Sequence, residues 1–237
     1  MKRTALIAGA TGALGRAICR ELRTRGVSVV CGYASRRTEA EELAAELEGF
    51  AVELHSGLDV MEAVRGVIER CGGLDILVNA AGINREGSAV ALNAEEWNSV
   101  LEVNLDFAFS LTQTALPPML LKRQGRIVHL SSIAGRAGGR GQINYAVSKA
   151  ALERMARAFA LEVGRKGITV NCVAPGVIVS DMSERIRAEH GEELLSHIAS
   201  RRFGTPEEVA KAVAFLAGED AGYINGVVLP VDGGMLL

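Results

Sequence analysis

Thr4-Ala5-Leu6-Ile7-Ala8-Gly9-Ala10-Thr11-Gly12-Ala13-Leu14-Gly15 decides the fold of this chain. A short apolar run reads as a buried strand, and the amphipathic pattern AICRELRTR that follows reads as a helix. Between them stand glycines at 9, 12 and 15. A glycine-rich turn at the carboxyl end of a strand, opening a helix, lets a ligand approach the backbone where free amides and the helix dipole receive a pyrophosphate. The plain alternative is a turn that serves only tight strand-helix packing.

Outward from that loop the same alternation continues. The runs VSVVCGY, FAVEL, LDILVN, GRIVHLS, GITVNCVAP and GVVLPVD are apolar nearly throughout, and helical patterns such as EAEELAAELE separate them. Strands of that kind, joined by helices, imply a parallel sheet covered on both faces with right-handed crossovers. The expectation is an α/β, doubly wound Rossmann-type fold with a seven-stranded parallel sheet, residues 1–237 forming a single dinucleotide-binding catalytic domain. At 237 residues and 49% hydrophobic content the chain has material for one sizeable core.

Charge narrows the class. The 26 basic and 28 acidic residues are scattered, for a net charge of −2, so no basic stripe is available to track nucleic acid. No segment reaches the length of a membrane span, and Gly9, Gly12 and Gly15 break the apolar run near the start too early for a secretory leader. Cys19, Cys31, Cys71 and Cys172 are widely spaced and form no C-x-x-C pair, and the four histidines are dispersed. The reading is a cytoplasmic protein with reduced thiols and no metal site.

The second strand ends in Gly32-Tyr33-Ala34-Ser35-Arg36-Arg37, without the acidic residue that would accept from a ribose 2′-hydroxyl. A guanidinium fork matches a 2′-phosphate, which favours NADP over NAD; alternatively, Arg36 and Arg37 only close a surface turn. Asp59, after the third strand, is placed either to meet an adenine amino group or to cap a helix starting at Val60.

Tyr145-x-x-x-Lys149 puts a phenol and an ammonium on one face of a helix, with Ser132 thirteen residues upstream. A phenol that must give up a proton near neutrality needs a fixed positive charge beside it, and Lys149 is that candidate. Taken singly, each of these residues has a duller reading. Ser132 could belong to a strand-ending turn, Asn104 could cap a helix, and Pro175-Gly176 could be a turn.

In order and spacing, the glycine loop, Asn79-Ala80-Ala81-Gly82, Asn104, Ser132, Tyr145-x-x-x-Lys149 and Pro175-Gly176 resemble the short-chain dehydrogenase/reductase family from end to end. The resemblance implies Tyr145 as general acid, Ser132 as the hydroxyl that polarises the substrate carbonyl, Lys149 as the partner of the nicotinamide ribose that lowers the tyrosine pKa, and Asn104 as the holder of a relay water. It also places Thr11, Leu14, Ser35, Val60, Ala80, Gly82 and Ile178 along the cofactor. Two departures stand out. Ala13 occupies the middle glycine of the family's loop, with Gly12 where a basic residue often stands, and Ala80 replaces the second asparagine of Asn-Asn-Ala-Gly.

Gly141-Gln142-Ile143-Asn144-Tyr145, Val173 through Gly176 with Ser180-Asp181-Met182, and the ending from Tyr223 to Met235 look like the 3-oxoacyl-[acyl-carrier-protein] reductases. That likeness implies NADPH as donor, an acyl-carrier-protein-bound substrate in fatty-acid or polyketide synthesis, basic docking residues at Arg123 and Lys166, and a substrate flap at 181–202. It further implies a homotetramer built through the helices 104–124 and 145–166 and the C-terminal strand. Two other readings remain open at this stage: a reductase or dehydrogenase of a free ketone, sugar or alcohol, and a dinucleotide-sensing protein without turnover.

Overall fold

The computed structural model describes residues 3–237. Seven strands form one sheet: β1 (Thr4–Ala8), β2 (Ser28–Tyr33), β3 (Phe50–Glu53), β4 (Ile76–Asn79), β5 (Gly125–Leu130), β6 (Ile168–Pro175) and β7 (Val228–Val231). Their order is β3-β2-β1-β4-β5-β6-β7 and every pairing is parallel. The chain therefore reverses its winding between β1 and β4, which opens a crevice at the carboxyl ends of the strands.

Alternation along each strand divides the core into two layers. Ile7, Val29, Val78 and Val128 face one side, where α1 (Ala13–Thr24) contributes Ile18 and Leu22 and α9 (Pro206–Leu216) contributes Val209 and Val213. Leu6, Val30, Leu77 and Ile127 face the other, against α3 (Val60–Cys71), α5 (Phe107–Lys122) and α7 (Ile143–Val163). The remaining helices are α2 (Arg37–Glu46), α4 (Ala94–Leu101), the single turn α6 (Ala134–Ala137) and α8 (Asp181–His197). Three starts are capped by their own side chains: Asp59 accepts from Glu62 N, Asn93 from Glu96 N and Thr205 from Glu208 N.

The strand expected over LDILVN begins only at Ile76. Asp75, just before it, still bonds both neighbours through its backbone, its N donating to Thr4 O and its O accepting from Arg126 N, both at 3.0 Å, while its carboxylate takes the Thr4 amide at 2.8 Å and the Lys122 ammonium at 3.0 Å. A larger difference concerns Asn104, which caps nothing. Helix α4 runs on through a π-helical turn, Glu102–Asp106, directly into α5, and Asn104 sits in that turn. A π turn widens the backbone and re-aims its side chain, a feature concentrated at functional sites.

Of the loop glycines, two are sterically forced. Gly9 adopts φ +76°, and a Cβ there would come within 2.7 Å of Ala81 N; a Cβ on Gly15 would come within 2.1 Å of Gly9 O. Gly12 has ordinary extended backbone as the N-cap of α1, and its nearest neighbour would lie 3.6 Å away. Gly15→Ala is therefore expected to lower stability by about 1–3 kcal/mol through overpacking against backbone that has no room to yield, whereas Gly12→Ala costs under about 1 kcal/mol. Urea melts of the two variants beside the parent check the ranking.

Candidate active site

The carboxyl ends of β1, β4, β5 and β6 bring the predicted residues into one crevice. After β1, the Gly12 N-cap offers α1 no side-chain acceptor, so the first amides of that helix are free to meet an anion. Asn79 ends β4 and is 1% exposed. Its Oδ1 accepts from Ala81 N at 3.2 Å, while its Nδ2 is a buried donor without a protein partner. A cradle that excludes side chains at Gly9 and Gly15, open helix amides and an orphaned amide donor together fit a dinucleotide lying across β1 and β4.

At the end of β2, Ser35, Arg36 and Arg37 are exposed. Neither arginine is free. Arg36 lies 3.6 Å from Glu39, which also pairs with Arg16, and Arg37 holds Glu41 at 2.8 Å. Glu39, on α2, was not singled out from sequence, although its place three residues after Arg36 is the signal for such a pair. Asp59 is engaged as the cap of α3, and Val60 is buried behind it. Across the crevice, Gly176 follows β6 and packs on Asp232, with its amide bonded to Val231 O at 3.0 Å. Ile178 is buried and bridges to Gly204.

Lys149, on α7, is 3% exposed, and its ammonium donates to Leu130 O at 2.8 Å. It sits 5.5 Å from the centroid of the Tyr145 ring, one helical turn back. Burial brings its pKa down to about 8. Lys149 also helps hold His129, which is buried behind it, at about 4 and thus neutral at pH 7; burial is the larger cause there.

Tyr145 differs from expectation. Its pKa lies above the ordinary phenol value because burial raises it, and the nearby Ser132 hydroxyl only partly offsets that rise. The lysine gives no visible depression, since its amine is directed at a backbone carbonyl. The Ser132 hydroxyl itself accepts from Ala134 N at 3.2 Å in the loop after β5.

Asn104 is fully buried and bonded on both functions. Its Oδ1 accepts from Ile83 N at 2.8 Å, and its Nδ2 donates to Ile83 O and Ser148 Oγ, both at 2.9 Å. Ser148 in turn donates to Tyr145 O at 2.8 Å. The asparagine thus fastens the loop after β4 to the helix that carries Tyr145. Both amide hydrogens are used, so a relay water would find only a remaining Oδ1 lone pair.

Arg123 and Lys166 are not at this crevice. They precede β5 and β6, at the amino ends of the strands, where Arg123 donates to Arg165 O at 3.2 Å. The segment 181–202, expected to be a flap, contains α8, which is kinked at His190 and without a buried residue, and the Arg185–Glu86 ion pair ties it to the loop after β4. Of the apolar residues of that segment, Met182 is exposed, while Ile198 is buried just past the helix end. No helix among the described residues is long and apolar enough to cross a membrane.

A doubly wound sheet with this crevice, and two hydroxyls beside a buried lysine, defines a dinucleotide-dependent oxidoreductase. A family model described as enoyl-(acyl carrier protein) reductase matches residues 9–236. The chain is 38% identical to the 3-oxoacyl-[acyl-carrier-protein] reductase FabG of Staphylococcus aureus strain Mu50, over 100% of this chain and 99% of that protein. It is 39% identical to the reductase of the same name from Haemophilus influenzae, over 98% of each chain. It is also 39% identical to nodulation protein G of Rhizobium sp. strain N33, over 99% of this chain and 97% of that one. The chain belongs to the short-chain dehydrogenase/reductase family. It is an oxidoreductase acting between CH–OH and C=O with a nicotinamide dinucleotide.

The lysine has a measurable cost. Folding lowers its pKa from 10.5 to about 8, so between those values the unfolded chain keeps a proton that the folded chain has lost, and stability rises with pH. From pH 7.5 to pH 10 the parent should gain about 2 kcal/mol relative to Lys149→Met, read from urea melts at both pH values. Parallel pH dependences of the two proteins would contradict the desolvated lysine.

Proposed function

We propose that the chain, acting as one catalytic domain, reduces a 3-oxoacyl thioester carried on an acyl-carrier protein to the 3-hydroxyacyl thioester, with NADPH as donor, in the cytoplasm. The observation that carries the chemistry is the meeting of Ser132 and Tyr145 at the mouth of the crevice, above Lys149. Full-length likeness to 3-oxoacyl-[acyl-carrier-protein] reductases supports the substrate class.

When bound, the nicotinamide supplies the hydride. The Ser132 hydroxyl and the Tyr145 phenol both donate to the ketone oxygen and stabilise the negative charge that builds there. A phenol with a raised pKa stays protonated at neutral pH, which suits it to deliver the proton in the reductive direction. Lys149, near its midpoint at about 8, remains largely cationic at pH 7 and adds positive potential under both groups. Asn79, Gly9, Thr11, Leu14 and Gly15 line the dinucleotide path, and Pro175, Gly176 and Ile178 close its far side.

The preference for the 2′-phosphorylated cofactor rests on Arg36, with Ser35 and Arg37 beside it. A phosphate there must draw the guanidinium away from Glu39, so the carboxylate tempers the affinity. Arg36→Asp is expected to move the NADPH/NADH ratio of kcat/KM about tenfold or more toward NADH. An unchanged ratio would place discrimination elsewhere.

Helix α5 begins at the crevice and ends at Arg123 on the far side. In a homotetramer that pairs α5 and α7 of two copies antiparallel, Arg123 and Lys166 of one copy lie toward the crevice of the other. An acidic carrier docked on them would then serve the neighbouring site.

Turnover of acetoacetyl-carrier protein, acetoacetyl-CoA and free ketones at matched concentrations, followed by NADPH oxidation, tests the substrate reading. Preference for the carrier-bound thioester supports it, and turnover of free ketones alone overturns it. In the same assay Tyr145→Phe should lose about 100-fold or more in kcat while still binding NADPH.

A further inference from the structure

Helix α7 carries Tyr145, Lys149 and, one turn further along the same face, Glu153, a carboxylate only 8% exposed. It is bonded from two directions. Ser131 Oγ donates to Glu153 Oε1 at 2.8 Å, and Arg136 Nε lies 3.6 Å from Oε2. Arg136, on α6, is fixed in turn by donation to Val228 O at 3.1 Å, on β7. Cys172 of β6 lies within reach of this carboxylate and also of Lys149, Arg157 and Arg136, the charged groups that share its neighbourhood.

Ser131 is the residue before Ser132, and the backbone around them is pinned to β6. Ser131 N donates to Val173 O at 2.8 Å and Ile133 N to Pro175 O at 3.1 Å. Those bonds fix the loop to the sheet but not to α7, where the phenol resides. Lys149 Nζ ties α7 to Leu130 O at the strand end, and from the loop itself the Ser131 hydroxyl reaches the helix, closely to Glu153 Oε1 at 2.8 Å and more weakly to Lys149 O at 3.4 Å. A buried ion pair is a poor way to gain stability, because desolvating both charges offsets their attraction. A short, charge-assisted bond is a good way to set a distance.

We propose that Glu153 is a positioning residue for the reduction: through Ser131 it sets Ser132 against Tyr145, and Arg136 neutralises and orients its carboxylate. This rests on the reading of Ser132 and Tyr145 as the two donors to the substrate oxygen. It adds a residue that touches neither substrate nor cofactor.

Three variants test it: Glu153→Leu, Glu153→Gln and Ser131→Ala, each checked for its melting temperature and its NADPH affinity by fluorescence titration. Displacing Ser132 should lower kcat of Glu153→Leu about tenfold or more with NADPH affinity unchanged. The alkaline limb of its kcat profile should also move to higher pH, because Tyr145 would lose the nearby Ser132 hydroxyl, which lowers its pKa. Glu153→Gln, which keeps an acceptor for Ser131, should stay within about threefold of the parent. Ser131→Ala should reproduce the Glu153→Leu effect, and the double variant should be no worse than either single one.

A merely structural glutamate would lower the melting temperature and leave kcat and the alkaline limb of the folded fraction in place, and that result overturns the proposal. If Glu153→Leu does not fold, parental kcat and an unmoved limb in Ser131→Ala overturn it equally. The assay uses whichever ketone the parent reduces. A parent inactive on 3-oxoacyl thioesters but active on another ketone would sink the substrate reading and leave this test intact.

Discussion

An ammonium group taken out of water and held against one backbone carbonyl is the constraint around which the catalytic end of this molecule is arranged. Lys149 reaches that carbonyl, at the end of β5, from a helix that packs along the neighbouring β6, with Leu152 and Ala156 buried on the same helix. The positive charge raises the potential near it and adds to the burial that chiefly keeps His129 neutral. Holding such a charge in place requires stiff surroundings. The doubly bonded Asn104, its π turn and the link through Ser148 to α7 supply that stiffness on one side, and the Ser131–Glu153–Arg136 chain supplies it on the other. Both braces act between segments far apart in the sequence.

That separation accounts for what the sequence disclosed and what it did not. The glycine loop was legible because its demands are local: a turn that has no room for Cβ at Gly9 and Gly15 must be written as glycine in consecutive register. The strands were legible because their apolar runs have the same meaning wherever they fall in a parallel sheet, and the helix from Ile143 was legible from its phenol-ammonium spacing. The family resemblance named Asn104 but not its setting, since a π turn leaves no compositional trace and Asn104 is held by Ile83 and Ser148. Glu153 looked like one more charge on an amphipathic helix; only the fold turns it inward toward Ser131.

Electrostatic pairing on the cofactor side repeats the lesson. Arg36 follows β2 as a phosphate-binding residue should, yet the helix it precedes brings Glu39 back toward it, and Arg16 from α1 reaches the same carboxylate. Sequence shows that a cation is available; only the structure shows that it is already shared. Likewise Arg123 and Lys166 are basic, the first exposed and the second half-buried, but the direction of β5 and β6 puts them at the end of the sheet remote from the crevice.

Helix α8 buries none of its residues, although Met182, Ile186, Leu194 and Leu195 give it apolar material. Ile186, Leu194 and Leu195 are half-buried and Met182 is exposed, so apolar surface is left in water that a guest molecule beneath the helix would cover. Each methylene of a ligand so covered contributes up to about 0.8 kcal/mol. Discrimination among chains of different length would then grow by a few-fold per carbon, a gradual ruler instead of a lock.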